Sequence, residues 1–325
     1  MRKILSAVQM REIDRLTTER YGIPSLLLME AAGGAAARSI YEHFNGELKQ
    51  KTILILCGHG NNGGDGAALG RALWSMGATV TVILLGQVRE TRGDALANFG
   101  IVDSIDESGV DENGAILRFE ECISFDQIEF ILASMVDYDV IVDALLGTGL
   151  TRPLEGLFLD VVDRLMNVCD ALERTHARRP LLVSLDLPSG LNADETETDD
   201  VCINADMTIT FTAPKIANVL PPASRKNGRL IVADIGSPAP LLKQTASNLF
   251  LAEESDARSW LEATRYRPGS YKKSHGSVLI IAGSSNYTGA AVLCGNAAMR
   301  AGAGLVRVAS PAASMESIKA RLIPE

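Results

Sequence analysis

The chain has 325 residues, enough for one large domain or two of medium size. Its net charge of −9 makes nucleic acid an unexpected partner, because an acidic protein repels a phosphate backbone. The sequence has neither an export signal at its N-terminus nor about 18 consecutive apolar residues, so we expect a cytoplasmic protein with no membrane span.

Helices and strands alternate along most of the chain. Two helical patterns, at 8–14 and 26–40, precede a strand–helix alternation in which 65–76 and 93–99 are predicted helices. The predicted strands are short apolar runs at 52–57, 78–85, 138–143, 181–186, 206–211 and 229–234. Because helices between strands imply crossover connections, we expect a doubly wound, mostly parallel, Rossmann-like α/β sheet.

Two parts of the chain fall outside this alternation. Residues 101–124 are acidic and rich in turn residues, which predicts a surface insertion, such as a hairpin. A Ser-Pro-Ala-Pro segment at 237–240 predicts the end of a first domain, giving domains 1–237 and 238–325. The second domain restarts with strands at 277–282 and 305–309 and with helices at 289–302 and 315–322.

A glycine-rich loop follows the strand at 52–57. Residues 58–66 contain a GxGxxG pattern formed by Gly58, Gly60 and Gly63, and a helix is predicted to follow. Glycines let the main chain approach a ligand closely, and the unpaired N–H groups of a helix N-terminus attract anions. The loop is therefore predicted to hold the phosphates of a nucleotide, although a tight turn without a ligand remains the alternative.

The second strand lacks the acid that holds the ribose of a dinucleotide cofactor. It ends in Leu-Gly-Gln-Val-Arg at 85–89, where a dehydrogenase carries an Asp or Glu. The sequence therefore disfavours an ordinary NAD-dependent dehydrogenase.

Two strands are predicted to end in a carboxylate. Asp143 and Asp186 should both lie near the glycine-rich loop, because ligands bind outside the carboxyl ends of parallel strands; the alternative is that each only caps the next helix. The side chains of Asn61, Asn62, Asp143 and Ser189 offer only oxygen ligands, which suit magnesium, calcium or an alkali ion.

Five motifs in order resemble the NAD(P)H-hydrate epimerases, and the resemblance covers about residues 1–237. The motifs lie at 28–33, 61–66, 142–149, 186–190 and 211–215. The resemblance implies a substrate that is itself a dinucleotide: hydrated NADH or NADPH (NADHX or NADPHX), whose R and S forms are interconverted in metabolite repair. It would also explain the missing ribose carboxylate, because the dinucleotide would not serve as a redox cofactor.

The resemblance also implies the site residues. One potassium ion (K+) per epimerase site would be bound by Asn62, Asp143 and Ser189, and a homo-oligomer is expected. The implied substrate-binding residues are Asn61, Asn62, Gly63, Gly64, Asp65, Gly147, Thr148, Gly149, Leu150, Thr151, Arg152, Pro153 and Asp186.

The implied reaction needs a group that gives and takes a proton. The hydroxylated ring carbon is bonded to nitrogen, so the hydroxyl can leave with help from the nitrogen lone pair. Water can then return on the other face, or the ring can open and reclose, and either route needs proton transfer at that hydroxyl. Asp186 is the first choice for this catalytic role. Asp65 is the second, because the start of a helix would stabilise its carboxylate and make it a poorer acid.

The last part of the chain carries a second resemblance. Segments at 272–276, 282–290 and 300–306 resemble the opening of the ADP-dependent NAD(P)H-hydrate dehydratases, which implies an incomplete ribokinase-like domain. ADP would be a ligand only of the complete domain, and we expect no dehydratase (lyase) activity from this chain. An unrelated βα extension packed on the first domain is the alternative.

Two other functions remain open for the whole chain. One is a Rossmann-type NAD(P)-dependent oxidoreductase, which the end of the second strand disfavours. The other is a non-catalytic nucleotide-binding or scaffold protein.

Overall fold

The computed structural model describes residues 1–108, 114–150, 152–197, 201–265 and 267–323, with only the backbone described at 107 and 108. They form two units, a larger one over Arg2–Leu251 and a smaller one of Met1 with Ala252–Glu325. The larger unit contains β1 (Arg2–Lys3), α1 (Ala7–Tyr21), α2 (Ser25–His43), β2 (Thr52–Cys57), α3 (Asn61–Ser75), β3 (Thr79–Leu85), α4 (Gly93–Ser108), β4 (Leu117–Cys122), α5 (Phe125–Ala133), β5 (Val140–Ala144), α6 (Gly156–Arg174), β6 (Leu181–Leu185), β7 (Met207–Phe211), α7 (Ile216–Val219), β8 (Arg229–Ala233), α8 (Ala239–Gln244) and β9 (Phe250–Leu251).

A seven-stranded parallel sheet with the order β4-β3-β2-β5-β6-β7-β8 organises the larger unit. The chain winds outward from β2 in one direction and from β5 in the other, so the strand order reverses between β2 and β5. In open sheets of this kind, ligands bind at the carboxyl ends of the strands beside such a reversal. The doubly wound α/β fold predicted from the sequence is confirmed.

The core lies on both faces of the sheet. Alanines and leucines of α2 and α3, with Phe99 of α4, cover one face. Ile128 of α5 and Val161 and Leu165 of α6 cover the other. Because both faces are covered, the central strands are continuous apolar runs rather than alternating ones, and this is why the sequence locates β2 and β5 well.

The predicted surface insertion at 101–124 is wrong. Residues 101–108 complete α4, and β4 is an edge strand of the main sheet, parallel to β3. Leu117 and Cys122 are buried, whereas Arg118 and Glu120 between them are exposed, which suits an edge strand with only one neighbour. Charged side chains therefore concealed the strand in the sequence. Residues 109–113, which include the predicted turn, lie outside the described residues.

Two further features were not expected from the sequence. Helix α3 begins at Asn61 rather than at Asp65, so residues 61–66 of the glycine-rich loop are helical. The short strands β1 and β9 form an antiparallel pair in which Arg2 is opposite Leu251. The larger unit therefore extends past residue 237, and the division into domains 1–237 and 238–325 stays a prediction.

The smaller unit has a single parallel strand pair among its described residues. It contains α9 (Glu254–Ala263), β10 (Ser277–Ile281), α10 (Gly289–Arg300), β11 (Leu305–Ala309) and α11 (Met315–Lys319). Ala291, Val292 and Ile318 form a small core. Leu279 and Ile281 of β10 are 63% and 82% exposed, as expected for a strand whose sheet is too small to bury both faces.

Candidate functional site

A cleft of about 360 Å³ lies at the carboxyl edge of the sheet, beside the reversal in strand order. Its walls come from α1, α2 and the starts of α3 and α4, and from the segments that follow β5, β6, β7 and β8. The lining residues are Met10, Arg11, Asp14, Ser25, Leu28, Met29, Ala32, Gly60, Asn61, Asn62, Asp65, Asp94, Leu145, Leu146, Gly147, Thr148, Gly149, Asp186, Phe211, Thr212, Lys215 and Ile235.

The glycines of the loop serve two different purposes. A Cβ at Gly63 would lie 1.7 Å from the carbonyl oxygen of Gly58, and one at Gly58 would lie 2.1 Å from that of Leu145. These glycines let the start of α3 pack tightly against the ends of β2 and β5. Gly60 instead lines the cleft and has open space where a Cβ would be. Close packing within the protein therefore explains most of the pattern, and phosphate binding stays a prediction.

Asn62 carries a buried amide that lacks a hydrogen bond. Neither its oxygen nor its nitrogen finds a partner among the described residues. Its Oδ1 would lie 3.3 Å from a Cβ on Gly147, so Asn62 faces the loop after β5. An unpaired buried amide costs free energy, so this group is suited to a ligand or a cation.

Asp186 is held by an ion pair in the floor of the cleft. Its Oδ1 accepts hydrogen bonds from the Nζ of Lys215 and, over 3.1 Å, from the hydroxyl of Thr210. Its Oδ2 accepts one from the backbone N–H of Thr148 over 3.1 Å. Lys215 is buried, with 1% of its surface exposed, so the ammonium requires this partner. The pair and the two other donors therefore fix the carboxylate of Asp186 in place.

Asp143 lies beneath the same loop, outside the lining of the cleft. Its carboxylate accepts hydrogen bonds from the hydroxyl of Ser184, from both the N–H and the hydroxyl of Ser189, and from the N–H of Leu145. Burial raises the pKa of Asp143, whereas these hydrogen bonds lower it. The N–H of Leu146 donates to the Ser189 hydroxyl. Asp143 therefore joins the ends of β5 and β6 and shapes the loop that carries Gly147.

Two other carboxyl groups face the cleft. Asp65 is largely surrounded by protein, and burial raises its pKa well above the usual value, with the charges of Asp186 and Asp14 adding to the effect. Asp14 of α1 is accessible to water, yet the surrounding protein raises its pKa to about 6 by desolvation, opposed by the charge of Lys215. Since Asp65 is the fifth residue of α3, the stabilisation expected from a helix start is outweighed by burial.

The cleft brings together part of the predicted site. Asn61, Asn62, Asp65, Asp186 and the loop 147–149 line it. The other described residues of the predicted set lie outside its lining: Gly63, Gly64, Leu150, Arg152, Pro153, Asp143 and Ser189. Thr151 lies outside the described residues.

Sequence reasoning missed Asp14, and it singled out Lys215 only as part of a motif. Asp14 lies four residues after Met10 and three before Thr17, both of which are buried, so an acid on the apolar face of α1 was a readable signal. The position of Lys215 after a buried strand was a weaker signal of a role in the site. Its burial depends on Asp186, which is 29 residues away in the sequence.

The described residues contain neither a cluster of metal-binding side chains nor a helix that could span a membrane. No group of three His, Cys, Asp or Glu side chains is arranged to hold a metal ion in the described part of the chain. Among the described helices, none combines the length and apolar character needed to span a membrane.

The chain matches two family models. Residues 25–217 match the model described as YjeF-related protein N-terminus. Residues 278–325 match that of NAD(P)H-hydrate dehydratase.

Curated proteins and a solved structure are also similar. The chain is 34% identical to an NAD(P)H-hydrate epimerase of Rhodopirellula baltica, over 74% of this chain and 87% of that protein. It is 37% identical to the bifunctional NAD(P)H-hydrate repair enzyme Nnr of Moorella thermoacetica, over 95% of this chain and 54% of that protein. The chain thus spans about half the length of the bifunctional relatives. The crystal structure of yeast ynu0 shares the fold, with a TM-score of 0.57, 22% identity and coverage of 78% of this chain and 98% of that one.

Proposed function

Because the chain belongs to the family of the YjeF-related protein N-terminus, which includes an NAD(P)H-hydrate epimerase, we propose that it interconverts the R and S forms of hydrated NADH or NADPH. The observation that carries the proposal is the Asp186–Lys215 ion pair in a cleft at the reversal in strand order. It combines a carboxylate fixed by a buried ammonium with a place where dinucleotides bind in folds of this type.

The size of the cleft suits one half of the substrate. Its volume of about 360 Å³ is near the lower end of ligand pockets, about 300–1,000 Å³. We propose that the hydrated nicotinamide ring enters the cleft and that the adenosine half stays outside. Asn61, Asn62, Asp65 and the loop 147–149 would contact the ring and its ribose.

Asp186 supplies the negative charge that the reaction needs. When the hydroxyl leaves the ring carbon, the ring nitrogen becomes positively charged, and a carboxylate held nearby stabilises this cation. Asp186 can also accept the proton of the water that returns. Lys215 and Thr210 keep the carboxylate in one orientation, so little reorganisation is needed during the reaction.

We propose that potassium binds beside the loop that carries Gly147. The amide oxygen of Asn62 suits a cation, because it is buried and has no protein partner among the described residues. Asp143 and Ser189 supply negative charge and further oxygen atoms under the same loop. Such a cation would offset part of the negative charge that Asp186 brings to an anionic substrate.

The residues near 85–89 disfavour a dehydrogenase. None of the cleft residues found in the described part of the chain comes from the loop after β3, where a ribose carboxylate would be needed. For residues 278–325, which match the dehydratase family, we propose that ADP is bound only by a complete domain of that family.

The proposed epimerisation is tested directly. The purified chain is added to a sample enriched in one hydrate epimer, and both epimers are followed by chromatography against the uncatalysed rate. We expect rapid approach to the equilibrium mixture without any change in reduced-nicotinamide absorbance. A rate equal to that of buffer alone would contradict the proposal, and a carbonyl-dependent absorbance change would favour the oxidoreductase.

A further inference from the structure

The wall of the cleft formed by α1 contains a carboxyl group that the mechanism above does not use. Asp14 lines the cleft from α1, whereas Asp186 lines it from the loop after β6, and the carboxylate of Asp14 accepts no hydrogen bond within the described part of the chain. Asp186, in contrast, accepts from three protein donors. A carboxylate that is free of protein donors and accessible to water exchanges protons readily with solvent, and Asp14 is such a group.

We propose that Asp14 is a second catalytic residue of the epimerase, which exchanges a proton with substrate on the face of the ring opposite Asp186. This inference rests on the proposed function. Because α1 and the carboxyl edge of the sheet are different elements lining one cleft, a flat ring bound between them would present one face to Asp14 and the other to Asp186. An epimerisation that passes through a planar cation needs a proton-exchanging group on each face.

The step is balanced as follows for one direction. Asp14 gives its proton to the hydroxyl, the carbon–oxygen bond breaks with its electron pair on oxygen, and the nitrogen lone pair forms a carbon–nitrogen double bond. Water leaves on this face. A second water adds to the other face, the double-bond electrons return to nitrogen, and Asp186 takes the proton. Before the next turnover, Asp186 releases its proton to solvent water and Asp14 takes one up from solvent. The reverse direction exchanges the two roles.

The surrounding charges suit this division of roles. The titratable and charged groups that line the same cleft are Arg11 on α1, Asp65 on α3, Asp94 on α4, Asp186 after β6 and Lys215 after β7. Lys215 and Thr210 already donate hydrogen bonds to the carboxylate of Asp186, whereas no bond of this kind holds Asp14 within the described part of the chain. Because its pKa is raised to about 6, Asp14 can give and take a proton near neutral pH. Burial raises the pKa of Asp65 well above its usual value, which favours the protonated form that can donate a hydrogen bond to the substrate.

The experiment compares kcat and KM for epimerisation between pH 5 and 8.5. In the wild-type chain, we expect kcat to fall as pH rises above about 6. Asp14→Asn should lower kcat at pH 7 by about 10²- to 10⁴-fold with a smaller change in KM, and should remove this fall. Asp14→Glu should be slower than wild type but keep the fall in kcat. Glu19→Gln, an exposed acid on the same helix, is the matched control and should behave as wild type.

Each outcome decides a separate question. A wild-type chain without epimerase activity overturns the proposed function and this inference with it. An active wild type together with an unaffected Asp14→Asn variant overturns the inference alone. If Asp65→Asn, rather than Asp14→Asn, removes the pH dependence, the proton-exchanging role belongs to Asp65 and the inference is wrong. Circular dichroism and thermal melting should show that Asp14→Asn folds, since no side-chain hydrogen bond is lost.

Discussion

The ammonium of Lys215 contacts the carboxylate of Asp186, and both side chains are buried in the floor of the cleft. The hydroxyl of Thr210 accepts a hydrogen bond from Lys215 over 2.8 Å and donates one to Asp186. The carboxylate that we propose to be catalytic is therefore part of the core as well as part of the cleft, so we expect its replacement to affect both stability and activity.

Asp186→Asn should reduce epimerisation by about 10²- to 10⁴-fold. It should also lower the free energy of unfolding by about 3–5 kcal/mol, because Lys215 is left with an unpaired buried charge. Epimer interconversion and denaturant melts measure the two effects.

The double variant Asp186→Asn/Lys215→Gln should recover much of the stability but none of the rate. Asp206→Asn is the control: Asp206 pairs with Arg179 at the amino edge of the sheet, away from the cleft. It should melt at a lower temperature and keep its rate. An Asp186→Asn variant as active as wild type would exclude the assigned role.

Potassium should stabilise the chain through Asn62. Potassium at about 100 times its Kd would add roughly 2.7 kcal/mol to the free energy of unfolding. In Asn62→Ala, this increment should vanish, while the melting temperature without potassium changes little, because the amide makes no hydrogen bond. Melting curves over a potassium series, with sodium and the exposed-residue variant Asn167→Ala as controls, provide the measurement. A potassium effect that survives in Asn62→Ala would assign the cation to other groups.

Gly63→Ala and Gly60→Ala form a matched pair. At Gly63 a methyl group has no space, since it would overlap the carbonyl oxygen of Gly58, and we expect a loss of more than about 3 kcal/mol or failure to fold. Gly60 has an ordinary backbone conformation, with φ −94°, and open space, so its melting temperature should be close to wild type. Equal melting temperatures for the two variants would contradict the tight packing described for α3.

Asp65 should make the protein less stable as pH rises. Its pKa in the folded state is raised above the unfolded value of about 3.9, so the folded state holds a proton that the unfolded state has lost. This contribution of Asp65 to the free energy of unfolding is fully present below the pKa of the unfolded state. It is lost as pH rises through the pKa of the folded state. Asp65→Asn should therefore melt higher than wild type at pH 8 and not at pH 4. Asp103→Asn, an exposed site on α4, should show no such difference. If Asp65→Asn also melts like wild type at both pH values, the assignment is refuted.

The chain should epimerise the hydrate without dehydrating it. The described part of the smaller unit offers only two paired strands, and β10 leaves Leu279 and Ile281 largely exposed. ADP and the S hydrate are added to the chain, and reduced-nicotinamide absorbance is recorded. An ADP-dependent return of absorbance would show that residues 278–325 suffice for a dehydratase site.

The sequence predicted the fold well where strands are buried on both faces. The bounds of β2 are those predicted, because an apolar run between two turns has few alternative interpretations. It failed at β4, whose charged residues suit an edge strand but resemble a loop. It could not predict β1 and β9, because each is only two residues long and exists through pairing across nearly 250 positions of sequence.

The site was predicted to the extent that strand ends converge. Asp186 and the loops after β2 and β5 were expected together because parallel strands end at one edge of a sheet. Asp14 was missed because it reaches the cleft from α1, whose packing on the sheet depends on contacts distant in sequence. Lys215 could be noticed as a motif residue, but its partner could not be identified from spacing.

The β1–β9 pair has a consequence for the order in which the molecule forms on the ribosome. Ile4 and Leu5, which lead into α1, bond to the carbonyl groups of Leu249 and Pro214. Synthesis at about 5–20 residues per second therefore separates the appearance of α1 from that of its anchors by roughly ten to fifty seconds. The strands of the central sheet emerge and can pair during this interval. The wall that bears Asp14 is consequently among the last parts of the cleft to be fixed in place. A nascent chain therefore forms the floor of the cleft before α1 is anchored beside it.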